Sequence, residues 1–364
     1  MRILFPTPKK ARATLFGIAW VIGTVISPQP ILAASAEAKP SETLTARKDV
    51  NLKNSKIAAA YQVLAAKALP ATLAVAVILP DGNVEGVNTD KPMPMQSVFK
   101  APLAAAVFDA AEHGLVDLDA TVTLTRSDLS CSYSPVADNF PKRTDYTIRQ
   151  LVEAAVEQSD NSAADYLMKK IGGPTVVTRF LRQHGIDHIR VDRYEHEIQP
   201  ASVGLPKFHG QWIGSEALDE AKAKIPLAQQ KKGFATYLAD ARDKLTARGG
   251  AEFMRKLTAG KLLNKDSSNE LLAILKAAVT GKGRIHAGLP SNAILAHKTG
   301  TGATVDGVCC ASNDVGIVFL PDGTQFEIAV LLSGSALTPA DQDKIMAAAA
   351  KIAVSHVVQP SRSN

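Results

Sequence analysis

The chain is predicted to fold as an α/β (α+β) protein: an antiparallel sheet flanked by helices, completed across a long all-helical middle. Three observations point there. Residues 71–79 (ATLAVAVIL) read as a strand, Pro80-Asp81-Gly82 as a turn and residues 83–88 as a short partner strand. Residues 292–301, 315–320 and 326–333 read as three more strands, the last two joined by the hairpin turn Pro321-Asp322-Gly323. Between these groups the apolar spacing is helical. Strands at both ends with helices between them predict a sheet whose two pieces meet around a helical subdomain.

The elements follow in order. Residues 57–68 have helical spacing. From Ser97 to Gly114 runs a helix with apolar residues nearly all round, so it is expected to be buried, with Gly114 as a left-handed C-cap. Residues 130–136 form a loop with one large aromatic, Tyr133. Thr147 and Gln150 make a capping box for a helix over 147–158. Ser159-Asp160-Asn161 leads into a helix to Ile171; Gly172-Gly173-Pro174 stops it and starts the next, which Gly185 ends. Residues 190–199 are a charged loop, and 215–224, 227–246, 251–259 and 268–278 read as helices. Thr338 caps a final helix with Pro339 in its first turn, running to about Val357.

The 364 residues are 46% hydrophobic with a formal net charge of +6. Arg2, Lys9, Lys10 and Arg12 carry four of those charges, leaving an ordinary globular balance of about +2. No basic stripe is interleaved with aromatics, so nucleic-acid binding has no support. Residues 1–36 read as a secretory signal: a charged start, an apolar run over 15–26, and Ala34-Ser35-Ala36 as the cleavage site, with cut positions after Ala36 or Ala34. The apolar run falls short of the roughly 20 residues a membrane span needs, and Pro28 and Pro30 follow it. Residues 37–55 are a polar linker and 359–364 a tail. Export implies an oxidising compartment. The three cysteines, Cys131, Cys309 and Cys310, leave at least one thiol unpaired, and whether Cys131 bonds either of the adjacent pair is open.

Three short motifs carry chemistry. Ser97 and Lys100 are one helical turn apart, so hydroxyl and amine share a face beside the partial positive charge of a helix start. A buried lysine must find partners or titrate low. Ser159-Asp160-Asn161 and Lys298-Thr299-Gly300 follow. Each motif alone is weak. S-x-x-K, S-D-N and K-T-G in this order are the set given for class A β-lactamases and penicillin-binding proteins. Over about residues 56–358 the chain resembles that serine acyl-transferase superfamily, with its α/β part at about 56–94 and 291–358, its helical part at about 95–290, and the active site between them.

The resemblance implies roles for named residues. Ser97 would attack the lactam carbonyl and form an acyl-enzyme, with Lys100 accepting or relaying its proton. The backbone N–H groups of Ser97 and Thr301 would form the oxyanion hole. Ser159 and Lys298 would return a proton to the lactam nitrogen. Asn161 would bind the substrate's side-chain amide; Thr299, Gly300 and Thr301 would line the carboxylate site. Asp160 reads as structural. Tyr133 would wall the cleft, or simply pack in its loop.

A hydrolase also needs a base for the deacylating water. Arg193-Tyr194-Glu195-His196-Glu197-Ile198-Gln199 resembles the family's R-x-E-x-x-L-N run, which puts Glu195 on that base and Arg193 on the arginine that closes the loop. Gln199 replaces the usual asparagine and adds a methylene. Glu197 is a rival two residues away. Residues 280–290 resemble the run T-G-x-x-R-I-R-A-G-L-P, making Arg284 the supplier of positive charge for the substrate carboxylate. His188, His196, Glu195 and Glu197 lack a metal-site spacing, and the chemistry needs neither metal nor other cofactor.

Met95-Gln96-Ser97-Val98-Phe99-Lys100, Asp165 in place of asparagine, and the long turn over 302–312 resemble an extended-spectrum branch of class A. Residues 201–250 exceed the usual length, and Phe208, Trp212, Phe234 and Tyr237 would let them pack as a small helical unit beside the Glu195 loop. The expected protein is a monomeric, periplasmic, class A-like serine β-lactamase acting on penicillins or cephalosporins, with no stable membrane anchor after signal cleavage. The alternatives are a D-alanyl-D-alanine carboxypeptidase or related penicillin-binding protein, and a β-lactam sensor acylated without turnover.

Overall fold

The computed structural model describes residues 55–358; the expected signal segment, the linker up to 54 and the 359–364 tail lie outside the described residues. Ser55 caps α1 (Lys56–Lys67) by accepting from the Ala58 amide. The hairpin β1 (Thr72–Ile78) and β2 (Val84–Val87) follows, then the short β3 (Met93–Pro94). A 3-10 turn over Gln96–Phe99 leads into α2 (Lys100–Glu112), so Ser97 stands just ahead of the α-helix rather than inside it. Lys100 to Phe108 are all buried, as the all-round apolar pattern requires, and Gly114 has φ 70°.

The helical middle contains a small hairpin, β4 (Thr121–Thr123) with β5 (Asp145–Thr147), and a short α3 (Pro135–Asp138) that begins in the expected loop and runs past its end. Then come α4 (Ile148–Glu157), α5 (Asn161–Lys170) and α6 (Pro174–Gln183). Both halves of the Thr147/Gln150 capping box form. Where a loop was expected, α7 (Glu195–Ser202) makes Glu195 the first residue of a helix, because the Glu197 carboxylate accepts from the Tyr194 amide and caps it.

Next are α8 (Gly214–Ala223), α9 (Leu227–Ala239), β6 (Lys244–Leu245), α10 (Ala247–Thr258) and α11 (Lys265–Lys276). The helix expected to reach residue 246 stops at Ala239: Asp240 is extended and Asp243 has φ 53°, which turns the chain so that β6 pairs with β3. Thr246 then caps α10 four residues earlier than expected, and Asn264 caps α11. The expected single helical unit over 201–250 packs in two places. Phe234 and Tyr237 join the main core, whereas Phe208 and Trp212 lie against a separate cluster of Cys131, Val203, Leu205, Leu218 and Ala221.

The C-terminal part supplies β7 (Ile294–Thr301), the small hairpin β8 (Thr304–Val305) and β9 (Val308–Cys309), β10 (Ser312–Phe319), β11 (Gln325–Ser333) and α12 (Pro339–Val357). The sheet runs β2-β1-β11-β10-β7, antiparallel throughout. Alternation sorts its faces. Leu73, Val75, Val77, Ile328 and Val330 face the cluster that holds α1 and α12; Ala74, Ala76, Ala329 and Leu331 face the core of the helical middle. Alanine on that second face lets α10 come close, where Gly250 packs against Val315 and Ala329. The pieces from the two chain ends meet at β1 and β11, paired from Thr72–Ser333 to Ile78–Glu327. That leaves β7 at the sheet edge, facing the Ser97 turn.

Candidate active site

The Ser97 turn is pressed against β7. A Cβ on Gly300 would lie 2.6 Å from the Met95 carbonyl oxygen, so only glycine permits this approach. Asn313 on β10 reaches across and donates to the carbonyls of Pro94 (2.8 Å) and Met95 (3.2 Å). Gln96 and Ser159 hold positive φ values of 49° and 64°, strained for non-glycine residues; the first adjoins Ser97 and the second bonds Lys100 and Lys298.

Lys100 is fully buried, and its Nζ is the hub. It lies 3.0 Å from Ser97 Oγ, 2.7 Å from the Ser159 carbonyl, 2.6 Å from Asn161 Oδ1 and 3.0 Å from Glu195 Oε1. The expected need for partners is thus met by oxygen from three separate segments. Ser97 Oγ in turn donates to Glu195 Oε1 at 3.1 Å. On the far side Lys298, also fully buried, donates to Ser159 Oγ at 2.9 Å and to the Thr299 carbonyl. Burial first, then the neighbouring positive charge of Lys100, holds the Lys298 amine well below the usual lysine range.

Glu195 is fully buried. Burial pushes its pKa up, but Lys100, the Gln199 amide and the Ser97 hydroxyl together outweigh that and keep the carboxyl below the ordinary glutamate value. Gln199 donates to Glu195 Oε2 at 2.7 Å, one helical turn along α7. Glu197, the rival, is exposed and serves as a cap. Asp165 on α5 fixes where α7 starts: its carboxylate accepts from the Glu195 amide (2.6 Å) and the His196 amide (3.0 Å). It also pairs with His196 Nδ1 at 2.8 Å. Burial lowers the His196 pKa, but Asp165 more than offsets this and holds the imidazole above its usual value. Arg193 Nε donates to Asp243 Oδ2 at 2.5 Å, closing the segment between them.

Arg284 is buried rather than a surface arginine. It donates to Thr301 Oγ1 (2.7 Å) and to the Asn313 carbonyl (2.8 Å), with Nε on Asp343. The Thr299 and Thr280 hydroxyls pair at 2.7 Å. Thr301 is exposed at the strand end and Tyr133 is half-exposed at 51%. Asp160 caps α5 and accepts from the Ala163 and Val136 amides. Asn161 Nδ2 holds the Cys131 carbonyl, which aims its oxygen at Lys100. All three cysteines are buried and unbonded to one another; burial pushes the Cys310 thiol up to about 12.

Ser97, Lys100, Ser159, Asn161, Glu195, Gln199 and Lys298 therefore meet through one hydrogen-bonded network, while Thr299, Gly300, Thr301 and Arg284 extend it along β7. Sequence reasoning gives Asp243 and Asn313 no place here, and places Gln96 and Tyr237 only as members of the Met95–Lys100 run and of the packing unit beside the Glu195 loop. The last two bond each other, Gln96 Nε2 to Tyr237 Oη at 2.6 Å. Glycine-free positive φ values leave no mark in sequence, and Asp243 is 50 residues from its partner.

A profile described as the Beta-lactamase enzyme family matches residues 56–357. Beta-lactamase VEB-1 of Pseudomonas aeruginosa is 31% identical over 267 residues, covering 73% of this chain and 78% of that protein. The carbapenem-hydrolyzing beta-lactamase KPC of Klebsiella oxytoca is 28% identical, covering 75% and 79%. Among solved structures, a beta-lactamase from Chitinophaga pinensis superposes with a TM-score of 0.68 at 28% identity, covering 83% of this chain and 99% of that one. The class A beta-lactamase of the last common ancestor of Gram-negative bacteria gives 0.66 at 29%, covering 83% and 99%.

Proposed function

This chain belongs to the beta-lactamase enzyme family, among its class A members, which hydrolyse β-lactams; from that premise we propose how its own residues divide the work. Ser97 is the nucleophile. Its proton passes to Lys100, which gives one on toward Ser159, as Oγ bonds to the lactam carbonyl carbon, so that Glu195 stays a carboxylate for the second step. The lactam C–N bond then breaks, and Ser159, backed by Lys298, hands a proton to the departing nitrogen. Water next attacks the acyl carbon while Glu195 takes its proton, and the bond to Oγ breaks as Oγ regains one. Asn161 and Tyr133 line the substrate side chain. Thr299, Gly300, Thr301 and Arg284 receive its carboxylate. The observation that carries this reading is the shared contact of Ser97 Oγ, Lys100 Nζ and Glu195 Oε1, all within 3.1 Å of one another.

Intact-mass spectra of the protein with excess penicillin test it. A serine adduct that forms and clears as hydrolysed drug accumulates is expected. An adduct that persists for hours overturns the deacylation role of Glu195 and favours a peptidase or a sensor.

We further propose that residues 1–36 direct export and are removed, that the mature monomer works in the periplasm without an anchor, and that bulky cephalosporins are substrates. The apolar run, the Ala34-Ser35-Ala36 site and the hairpin β8–β9 after the K-T-G strand support these points. The mature N-terminus, sedimentation of the purified protein, and turnover of a bulky cephalosporin check them in turn.

A further inference from the structure

Gln96 and Tyr237 are buried, polar and not used by the mechanism above. They form one chain with the residues that are. Glu195 Oε2 accepts from Gln199 Nε2 at 2.7 Å; Gln199 Nε2 also reaches Gln96 Oε1 at 3.3 Å; Gln96 Nε2 donates to Tyr237 Oη at 2.6 Å. A carboxylate only accepts, so it fixes the Gln199 amide with nitrogen inward, and that in turn fixes Gln96 with oxygen toward Gln199. Gln96 immediately precedes Ser97 and holds a left-handed φ of 49°, uncommon for a non-glycine residue. Tyr237 comes from α9, and its ring centre lies 5.7 Å from the Arg193 guanidinium and 5.8 Å from the Lys244 amine. The same tyrosine thus touches the arginine that closes the Glu195 segment and the amide beside the nucleophile.

We propose that Tyr237 is a positioning residue for deacylation: through Gln96 it holds the Gln199 amide on the Glu195 carboxylate, so that α9 sets the orientation of the general base. This rests on the assignment of Glu195 as the base for the second step. Removing the Tyr237 hydroxyl leaves Gln96 Nε2 with only a 3.6 Å contact to Cys310 Sγ, too weak to hold the amide in one orientation. Gln199 then loses its registration on Glu195, while Lys100, which bonds Ser97 without help from this chain, is undisturbed.

The test is Tyr237→Phe, which keeps the ring. Acylation and deacylation rate constants are measured by stopped flow and intact mass with a penicillin, alongside the deacylation pH profile. Deacylation is expected to slow at least tenfold while acylation stays within twofold, so that acyl-enzyme accumulates. The acid limb should move to higher pH, since Gln199 helps keep Glu195 ionised. Phe234→Leu on the same helix controls for packing; it should lower the melting temperature without splitting the two rates. Unchanged deacylation in Tyr237→Phe, or both rates falling together as in Phe234→Leu, overturns the proposal. Glu195→Gln in the same assay separates the two readings: if it does not trap acyl-enzyme, the assignment of Glu195 has failed, whatever Tyr237→Phe does.

Discussion

Arg193 and Asp243 are joined by a buried 2.5 Å hydrogen bond between Nε and Oδ2, although 50 residues separate them in the chain. Asp243 Oδ1 also accepts from the Asp192 and Arg193 amides, so one carboxylate holds both the guanidinium and the backbone leading into Glu195. Removing one partner of such a buried pair leaves the other charged and unmatched. Arg193→Ala is expected to lower stability by about 3–5 kcal/mol in urea unfolding and to slow deacylation more than acylation. The neighbouring Asp240–Arg242 pair is exposed on the arginine side, so Arg242→Ala should cost about 0–1 kcal/mol.

The pH profile should be broad on its acid side. Glu195 is held below its ordinary value of 4.5, so its pairing stabilises the fold above that value and is lost as pH falls through the lower folded value. Turnover at saturating penicillin should therefore persist below about pH 4.5, measured by initial rates in a constant-ionic-strength buffer. Lys298 behaves in the opposite sense. Its folded pKa is depressed, so deprotonation relieves a burial cost as pH rises, while the carboxylate site loses positive charge. The kcat/KM for a carboxylate-bearing β-lactam should begin to fall well below pH 10.5.

Gly300→Ala should separate the Ser97 turn from β7. The new methyl would meet the Met95 carbonyl and Val98 at 2.6 and 3.1 Å, and backbone cannot yield there without moving Ser97. Turnover is expected to fall on the order of a hundredfold, with a loss of stability of about 1–3 kcal/mol. Steady-state kinetics and thermal melting check the two parts separately.

The thiols should be silent in the native protein. Cys131, Cys309 and Cys310 are buried and unpaired, so Ellman's reagent is expected to titrate none before unfolding and all three in guanidinium. A reductant should leave the melting temperature unchanged.

What was legible in the sequence was local. The Thr147/Gln150 box, the Gly172-Gly173-Pro174 break and the Pro321-Asp322-Gly323 turn act within a few residues, and each formed as read. The Arg193 and Glu195 spacing was equally readable, because both lie on one short run. The partners were not. Asp243 offers nothing to mark it until the chain folds back, and the helix expected through it ends at Ala239 because that fold-back needs an extended Asp240 and a left-handed Asp243. Tyr237 looked like core, and its ring is core; only its hydroxyl reaches Gln96.

The Arg193–Asp243 contact and the pairing of Lys244–Leu245 with Met93–Pro94 bring both ends of the intervening segment to one place. Its length is then decoupled from the geometry of Glu195. Closing a loop twice as long costs only about 0.6 kcal/mol more. Exposed residues between α7 and α8, such as 209–211, can therefore be added to at little energetic expense, provided the clasp, Tyr237 and the cluster around Cys131 are kept. This gives the fold a place where sequence can drift, or a foreign peptide be grafted, within reach of the catalytic centre yet outside its framework.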